Sequence, residues 1–330
     1  MQELNGREII EKVGAARQKM LSELRKILVG QEEVIDQLIV TLLANGHCLL
    51  VGVPGLGKTL LVKSLANIFS LTFKRIQFTP DLMPADIFGA EVVEEDPASG
   101  TRRFRFVKGP IFANLVLADE INRTPPKTQA ALLEGMEERH VTAGGETYLL
   151  DAPFFVLATQ NPIELEGTYP LPEAQLDRFL LNVVMDYLTP EEEMKMVAQT
   201  TAPLVPVLDR IFTAVEILEL QRLVREVPVS ENVVSYAVRL VGATRPGKPY
   251  SSALAQEKVK WGAGSRASQA LVLAGKARAL LHGRYNVACE DIRALAIPVL
   301  RHRVITNFHA EAEGLNSVDI IKKVMEEVKE

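Results

Sequence analysis

Gly52-Val53-Pro54-Gly55-Leu56-Gly57-Lys58-Thr59 has the form G-x-x-x-x-G-K-[ST]. Its glycines let the backbone curl so that several N–H groups point inward around an anion. Lys58 is placed to reach β- and γ-phosphates, and the Thr59 hydroxyl to bind Mg²⁺. A helix starting near Lys58 aims its positive end at the same anion. The flanks agree with this reading. His47-Cys48-Leu49-Leu50-Val51 is a short apolar run, as a buried parallel strand is. Leu60, Leu61, Ser64, Leu65 and Ile68 recur at helical spacing. Strand, phosphate loop and helix in this order predict a nucleotide-binding α/β domain.

A second signal lies downstream. The apolar run 111–118 ends in Asp119-Glu120, and a carboxylate pair at the end of a buried strand is where an α/β sheet presents its chemistry. Asp119 would hold Mg²⁺ through water, and Glu120 would orient and deprotonate an attacking water. A further strand over 154–159 ends in Gln160-Asn161-Pro162. An amide there would sit beside the Asp119 strand and position the lytic water; elsewhere Asn before Pro would read as a turn.

Between these motifs the chain predicts strands over 73–78 and 180–184 and two hairpins. One spans 89–108, with its turn at 96–100 and with Arg102, Arg103 and Arg105 along it, suited to nucleic acid, to a protein partner or to plain solvent. The other spans 139–150 around Gly144-Gly145. Before the loop come a helix over 7–28, a turn at Val29-Gly30-Gln31 and a second helix. A Pro-rich segment near 202–208 marks a composition shift, and beyond it the pattern is helical to the end. Residues 1–200 are therefore expected to form the α/β domain and 201–330 a small all-helical one.

The totals bound the alternatives. The chain has 330 residues, 47% of them hydrophobic, and a net charge of −5, which is no footprint of a protein that binds nucleic acid by bulk charge. Two cysteines give no disulfide framework and fit a reducing cytoplasm. No run is long and apolar enough to span a membrane. His302 and His309 read as ordinary surface residues rather than metal ligands.

With these pieces placed, the chain resembles the MoxR family of AAA+ ATPases. The likeness covers nearly the whole length and rests on Val29-Gly30-Gln31, the Gly52–Thr59 loop, Ala118-Asp119-Glu120-Ile121-Asn122-Arg123, Thr159-Gln160-Asn161-Pro162, the string from Glu164 to Phe179 and Gly262-Ala263-Gly264-Ser265-Arg266-Ala267. It implies an ATP-binding parallel sheet flanked by helices, with two inserted β-hairpins, followed by a helical lid. It also implies a ring, commonly a hexamer, with ATP and Mg²⁺ at each subunit boundary. By the same likeness Asn161 is sensor 1, Arg178 the arginine finger and Arg266 sensor 2, while Val29, Gly30, Gly52, Pro54, Gly55, Leu56, Gly57, Lys58, Thr59 and Leu60 hold the nucleotide. Thr59 and Asp119 are the expected metal ligands. The family's usual Gly-Ala-Ser-Pro-Arg-Ala is here Gly-Ala-Gly-Ser-Arg-Ala, which loses the proline that stiffens the helix start. Trp261, the only tryptophan, is expected at the contact between lid and nucleotide.

The resemblance further implies a motor that remodels or activates a protein partner, often one with a von Willebrand A domain. A nucleic-acid motor with similar inserts and an ATP-gated scaffold with slow turnover are the competing readings. Binding and hydrolysis should separate in the first reading. Lys58→Ala should weaken ATP affinity at least about tenfold, since it removes the charge that meets the β/γ-phosphates. Glu120→Gln should bind ATP and fail to turn it over. Calorimetric titration of both variants checks this, and normal ATP affinity in Lys58→Ala would remove the loop from the account.

Overall fold

The computed structural model describes residues 6–95, 102–164, 167–201, 203 and 206–330. The predicted hairpin turn at 96–100 and parts of the 164–179 string and of the Pro-rich segment lie outside them. In chain order the helices are α1 (Gly6–Leu24), α2 (Glu32–Leu43), α3 (Lys58–Ile68), α4 (Pro84–Phe88), α5 (Pro126–Glu138), α6 (Glu173–Leu176), α7 (Pro190–Thr200), α8 (Ala214–Glu226), α9 (Glu231–Ala243), α10 (Ala253–Lys258), α11 (Ser265–Leu281), α12 (Cys289–Leu300), α13 (Phe308–Ala312) and α14 (Ser317–Glu327). The strands are β1 (Cys48–Val51), β2 (Phe73–Gln77), β3 (Gly89–Glu95), β4 (Arg102–Lys108), β5 (Leu115–Asp119), β6 (His140–Ala143), β7 (Glu146–Leu149), β8 (Phe155–Gln160), β9 (Leu181–Val184), β10 (Val259–Trp261) and β11 (Ile305–Thr306).

Five strands form one parallel sheet in the order β2-β5-β8-β1-β9. From β1 the chain runs to the far edge, returns through β5 and β8, and crosses to β9. The sheet therefore reverses direction at β1, and the crevice beyond its carboxyl end is where such sheets bind ligands. Burial on both faces follows from alternation along each strand. Leu115 and Leu117 of β5, Phe155 and Leu157 of β8, and Cys48 and Leu50 of β1 enter the core shared with α1, α2, α3 and the lid. Val116, Ala118, Val156, Ala158 and Leu49 enter a second core under α5.

Strand β5 begins at Leu115, later than the apolar run suggests. Residues 110–114 turn instead: the Ala113 N–H donates to the Ile111 carbonyl, and Asn114 exchanges hydrogen bonds with Thr72. Ile111 is nonetheless buried, so burial, not pairing, explains its apolarity. Likewise the first helix stops at Leu24, and Lys26 and Ile27 form tighter turns, their N–H groups donating three residues back.

Both hairpins form. The β3/β4 and β6/β7 pairs pack on one another through Phe106 and Tyr148, whose rings stack with centroids 4.4 Å apart. After α7 the chain returns over α3, where the Ile211 and Phe212 N–H groups donate to the Ile68 carbonyl. The C-terminal part is helical as expected, apart from the short β10/β11 ladder. Helix α11, buried around much of its circumference, packs against α1, α2, α8, α9 and α12. Among the described residues no helix is long and apolar enough to cross a membrane.

Because α11 is the common partner of both parts, truncating its core should be costly. Leu271 is fully buried, and Leu271→Ala should destabilise by about 2–5 kcal/mol. The expected result is a clear fall in the denaturant midpoint; an unchanged midpoint would mean the two parts do not share this core.

Candidate nucleotide site

The carboxyl ends of β1, β5 and β8 converge on the phosphate loop. Gly55 and Gly57 have φ of 87° and 78°, and a Cβ on either would touch nothing within 4 Å. Backbone conformation, not crowding, requires glycine there, and the space beside the loop is open. Gly52 differs: its Cβ would lie 2.9 Å from the Met185 carbonyl, so the loop is pressed against the end of β9. Gly57 caps α3, whose first residues are Lys58 and Thr59. The Lys58 ammonium donates to the Gly52 carbonyl. Partial burial pushes its pKa down, and the Asp119, Glu120 and Glu164 carboxylates oppose that.

Asp119 is the last residue of β5 and is buried. Thr159 of β8 donates its hydroxyl to Asp119 Oδ1 (2.6 Å) and accepts the Glu120 N–H (2.8 Å). One buried hydroxyl thus fixes both members of the carboxylate pair. Arg75 of β2 donates to the other Asp119 oxygen from Nε (2.9 Å) and Nη2 (2.6 Å). Glu120 sits at φ 58°, and its carboxylate accepts from Gln77 (2.9 Å) and pairs with Arg123 (3.1 Å), which also pairs with Glu164. Asn161, just past β8, is buried: Oδ1 accepts the Ile163 N–H (3.2 Å), while Nδ2 has no partner. An orphaned buried donor costs about 1–3 kcal/mol. A ligand oxygen or an ordered water at the loop would satisfy it.

These residues fit a nucleoside triphosphate with Mg²⁺. The hard oxygens of Thr59 and Asp119 suit an ion that takes its remaining ligands from phosphates and water. Beside the loop, Gln31 donates to the Asp186 carbonyl (2.8 Å) and ties the Val29-Gly30 turn to the end of β9. A cleft of about 410 Å³ opens there, lined by Val29, Gly30, Glu191, Glu192 and Lys195. Leu60 is exposed on α3, Pro54 is exposed in the loop, and Leu56 is half-buried against Gly52.

Arg178 and Arg266 lie elsewhere. Arg178 precedes β9, and the neighbouring Leu180 N–H donates to the His47 carbonyl just before β1. Both arginines therefore sit at the amino ends of the strands. With a rise of about 3.3 Å per residue, the four-residue strands hold the two ends about 13 Å apart. Glu137, at the end of α5, accepts from Arg178 (2.8 Å) and lies 3.5 Å from Arg266. Helix α11 starts at Ser265, the position where the family pattern has proline, with Gly264 as its uncharged cap. Trp261 is exposed on this same side, lining a cleft with Glu173, Asp177 and Arg303 at the amino end of the sheet.

A family model described as "ATPase family associated with various cellular activities (AAA)" matches residues 47–181, and an "AAA lid domain" model matches 251–324. "Chaperone MoxR1" of Mycobacterium tuberculosis is 41% identical over 312 residues, covering 94% of this chain and 81% of that one. The chain belongs to the MoxR family of AAA+ ATPases. "Protein MoxR" of Methylorubrum extorquens is 32% identical over 325 residues, covering 93% and 92% of the two chains. A crystal structure from Cytophaga hutchinsonii superposes with a TM-score of 0.88 at 41% identity, covering 97% of each chain.

In this MoxR-family chain, sequence reasoning passed over the roles of Thr159, Arg75, Gln77 and Glu137. Only Thr159 carried a signal, as the residue two before Asn161. Thr159→Val would orphan the Glu120 N–H and remove one partner from Asp119. We expect ATP hydrolysis to fall at least about tenfold, as a small shift of a catalytic group does, with ATP affinity nearly unchanged. Steady-state turnover beside a binding titration checks this, and wild-type turnover would show that the hydroxyl is dispensable.

Proposed function

We propose that this chain is an ATP-hydrolysing ring motor, hexameric by the family likeness, which remodels or activates a protein partner. The observation that carries the reading is the separation of Arg178 and Arg266 from Lys58, Asp119 and Asn161 by the length of the sheet. One subunit holds the two halves of a site at opposite ends. A head-to-tail ring brings the amino end of one sheet to the phosphate loop of the next.

In such a site ATP and water become ADP and phosphate. The loop N–H groups and Lys58 hold the β- and γ-phosphates. Thr59 and Asp119 would hold Mg²⁺, which would supply positive charge to the phosphates. Glu120 takes a proton from the attacking water, and the free Asn161 Nδ2 orients that water or a γ-oxygen. Arg178 from the adjacent subunit meets charge developing in the transition state, an effect worth on the order of 10³-fold. Arg266, held by the same Glu137, serves the same neighbouring nucleotide. Hydrolysis would then move lid against core and shift the stacked hairpins.

A protein partner, possessing a von Willebrand A domain by the family likeness, fits the hairpins better than nucleic acid does. Arg102 pairs with Glu95 (3.3 Å) and Arg105 with Glu94 (3.4 Å), so these two arginines already have carboxylate partners within the hairpin. Phe104 and Val93 face each other across the strands and are exposed.

Mixing variants tests the shared site. Arg178→Ala and Lys58→Ala should each be nearly inactive, and Arg178→Ala should still bind ATP. Mixed rings contain interfaces where an intact loop meets an intact Arg178, so activity should partly return. No recovery, with mixed rings verified by native mass, would reject the assignment of Arg178 to the neighbour.

A further inference from the structure

Arg303 follows α12 in the lid, yet its side chain is only 5% exposed. A guanidinium has five N–H donors, and all five are used. Nε donates to Asp177 Oδ1 (2.6 Å), and Nη2 to the carbonyls of Asp177 (3.3 Å) and Phe179 (2.8 Å). Nη1 donates to the carbonyls of Leu180 (3.2 Å) and Val299 (2.5 Å). Four of the five bonds therefore fall on the three residues that flank Arg178, and the fifth anchors the group to its own helix. The adjacent His302 adds an Nε2 hydrogen bond to the Phe179 carbonyl (3.1 Å). Burial keeps that imidazole neutral, which leaves Nε2 free to be the protonated, donating nitrogen.

Arg178 itself takes no part in this clamp; its guanidinium reaches Glu137. The lid thus grips the backbone on both sides of the finger and leaves the finger's own side chain outside the grip. Burying an arginine is expensive unless its donors are met, and here four of the five bonds come from one short segment. A charge in this position fixes where that segment lies relative to the lid.

We propose that Arg303 is a positioning residue for Arg178: a lid side chain that sets where its own subunit's finger lies, and through it the hydrolysis rate at the next subunit's nucleotide. The proposal rests on Arg178 acting across the subunit boundary. It gives the lid a mechanical link to the neighbouring site, since a lid displaced from the core carries Asp177, Phe179 and Leu180 with it.

The test uses full-length assembled protein carrying Arg303→Lys, which keeps the charge but cannot reproduce the five-bond clamp, and Arg303→Gln beside it. The ATP dissociation constant should stay within about twofold of wild type, because the variant's own phosphate loop is intact. The turnover number should fall about 10- to 100-fold, as expected for a catalytic group displaced by about 1 Å. Mixing either variant with Lys58→Ala should raise activity above the sum of the two alone, because the Lys58→Ala subunit supplies a well-placed finger to the variant's intact loop. A subunit that is merely damaged in its own fold would gain nothing from its neighbour. Should either Arg303 variant fail to assemble, Asp177→Asn removes the charged end of the clamp and must give the same recovery. Unchanged turnover overturns the proposal. So does an absence of recovery when Arg178→Ala mixed with Lys58→Ala does recover. If neither mixture recovers, the cross-subunit assignment of Arg178 fails, and the proposal falls with it.

Discussion

The in-register parallel pairing of β1 between β8 and β9 is the constraint on which the site depends. Cys48 faces Leu157 on one side and Leu181 on the other, and the three strands point the same way. Their carboxyl ends therefore gather the phosphate loop and Asn161, while their amino ends gather His47, Arg178 and the lid. β5, paired with β8, delivers Asp119 and Glu120 to the first group. A rigid sheet cannot bring its two ends together. The arginines Arg178 and Arg266 at one end and the carboxylates at the other would become one chemical unit where two chains meet, as in the ring proposed above.

Around that frame the polar groups are arranged by long-range hydrogen bonds rather than by local sequence. Thr159 joins Asp119 to Glu120, Glu137 gathers Arg178 and Arg266, and Arg303 holds the segment that bears the finger. Thr159 and Arg303 are buried and Glu137 is exposed, and each has partners far away in the chain. Each holds a side chain in one geometry, and the pairs at the strand ends bind lid to core. Asn161 Nδ2 departs from this pattern of satisfied donors, and it departs where a ligand or water would complete it.

Much of this was legible in the sequence. The phosphate loop, the Asp119-Glu120 pair and both hairpins follow from residue types at fixed local spacing, where turn chemistry and strand alternation leave few alternatives. The loop at 110–114 was not legible, because Ile111 is apolar for burial and not for pairing. The β10/β11 ladder was missed because two or three residues carry no period. Thr159, Glu137 and Arg303 act through partners that no local pattern reveals. The side on which Arg266 and Trp261 lie depends on how the lid docks against α1, α2 and β9, and that is a property of packing among distant helices.

The most direct measurement is a structure of the Glu120→Gln protein assembled with ATP. The account predicts the Arg178 guanidinium within hydrogen-bonding distance, about 3 Å, of the γ-phosphate held by Lys58 of the adjacent subunit, with its bond to Glu137 exchanged or shared. An ATP-loaded ring in which Arg178 stays on Glu137 and no arginine of the neighbour approaches the γ-phosphate would contradict it.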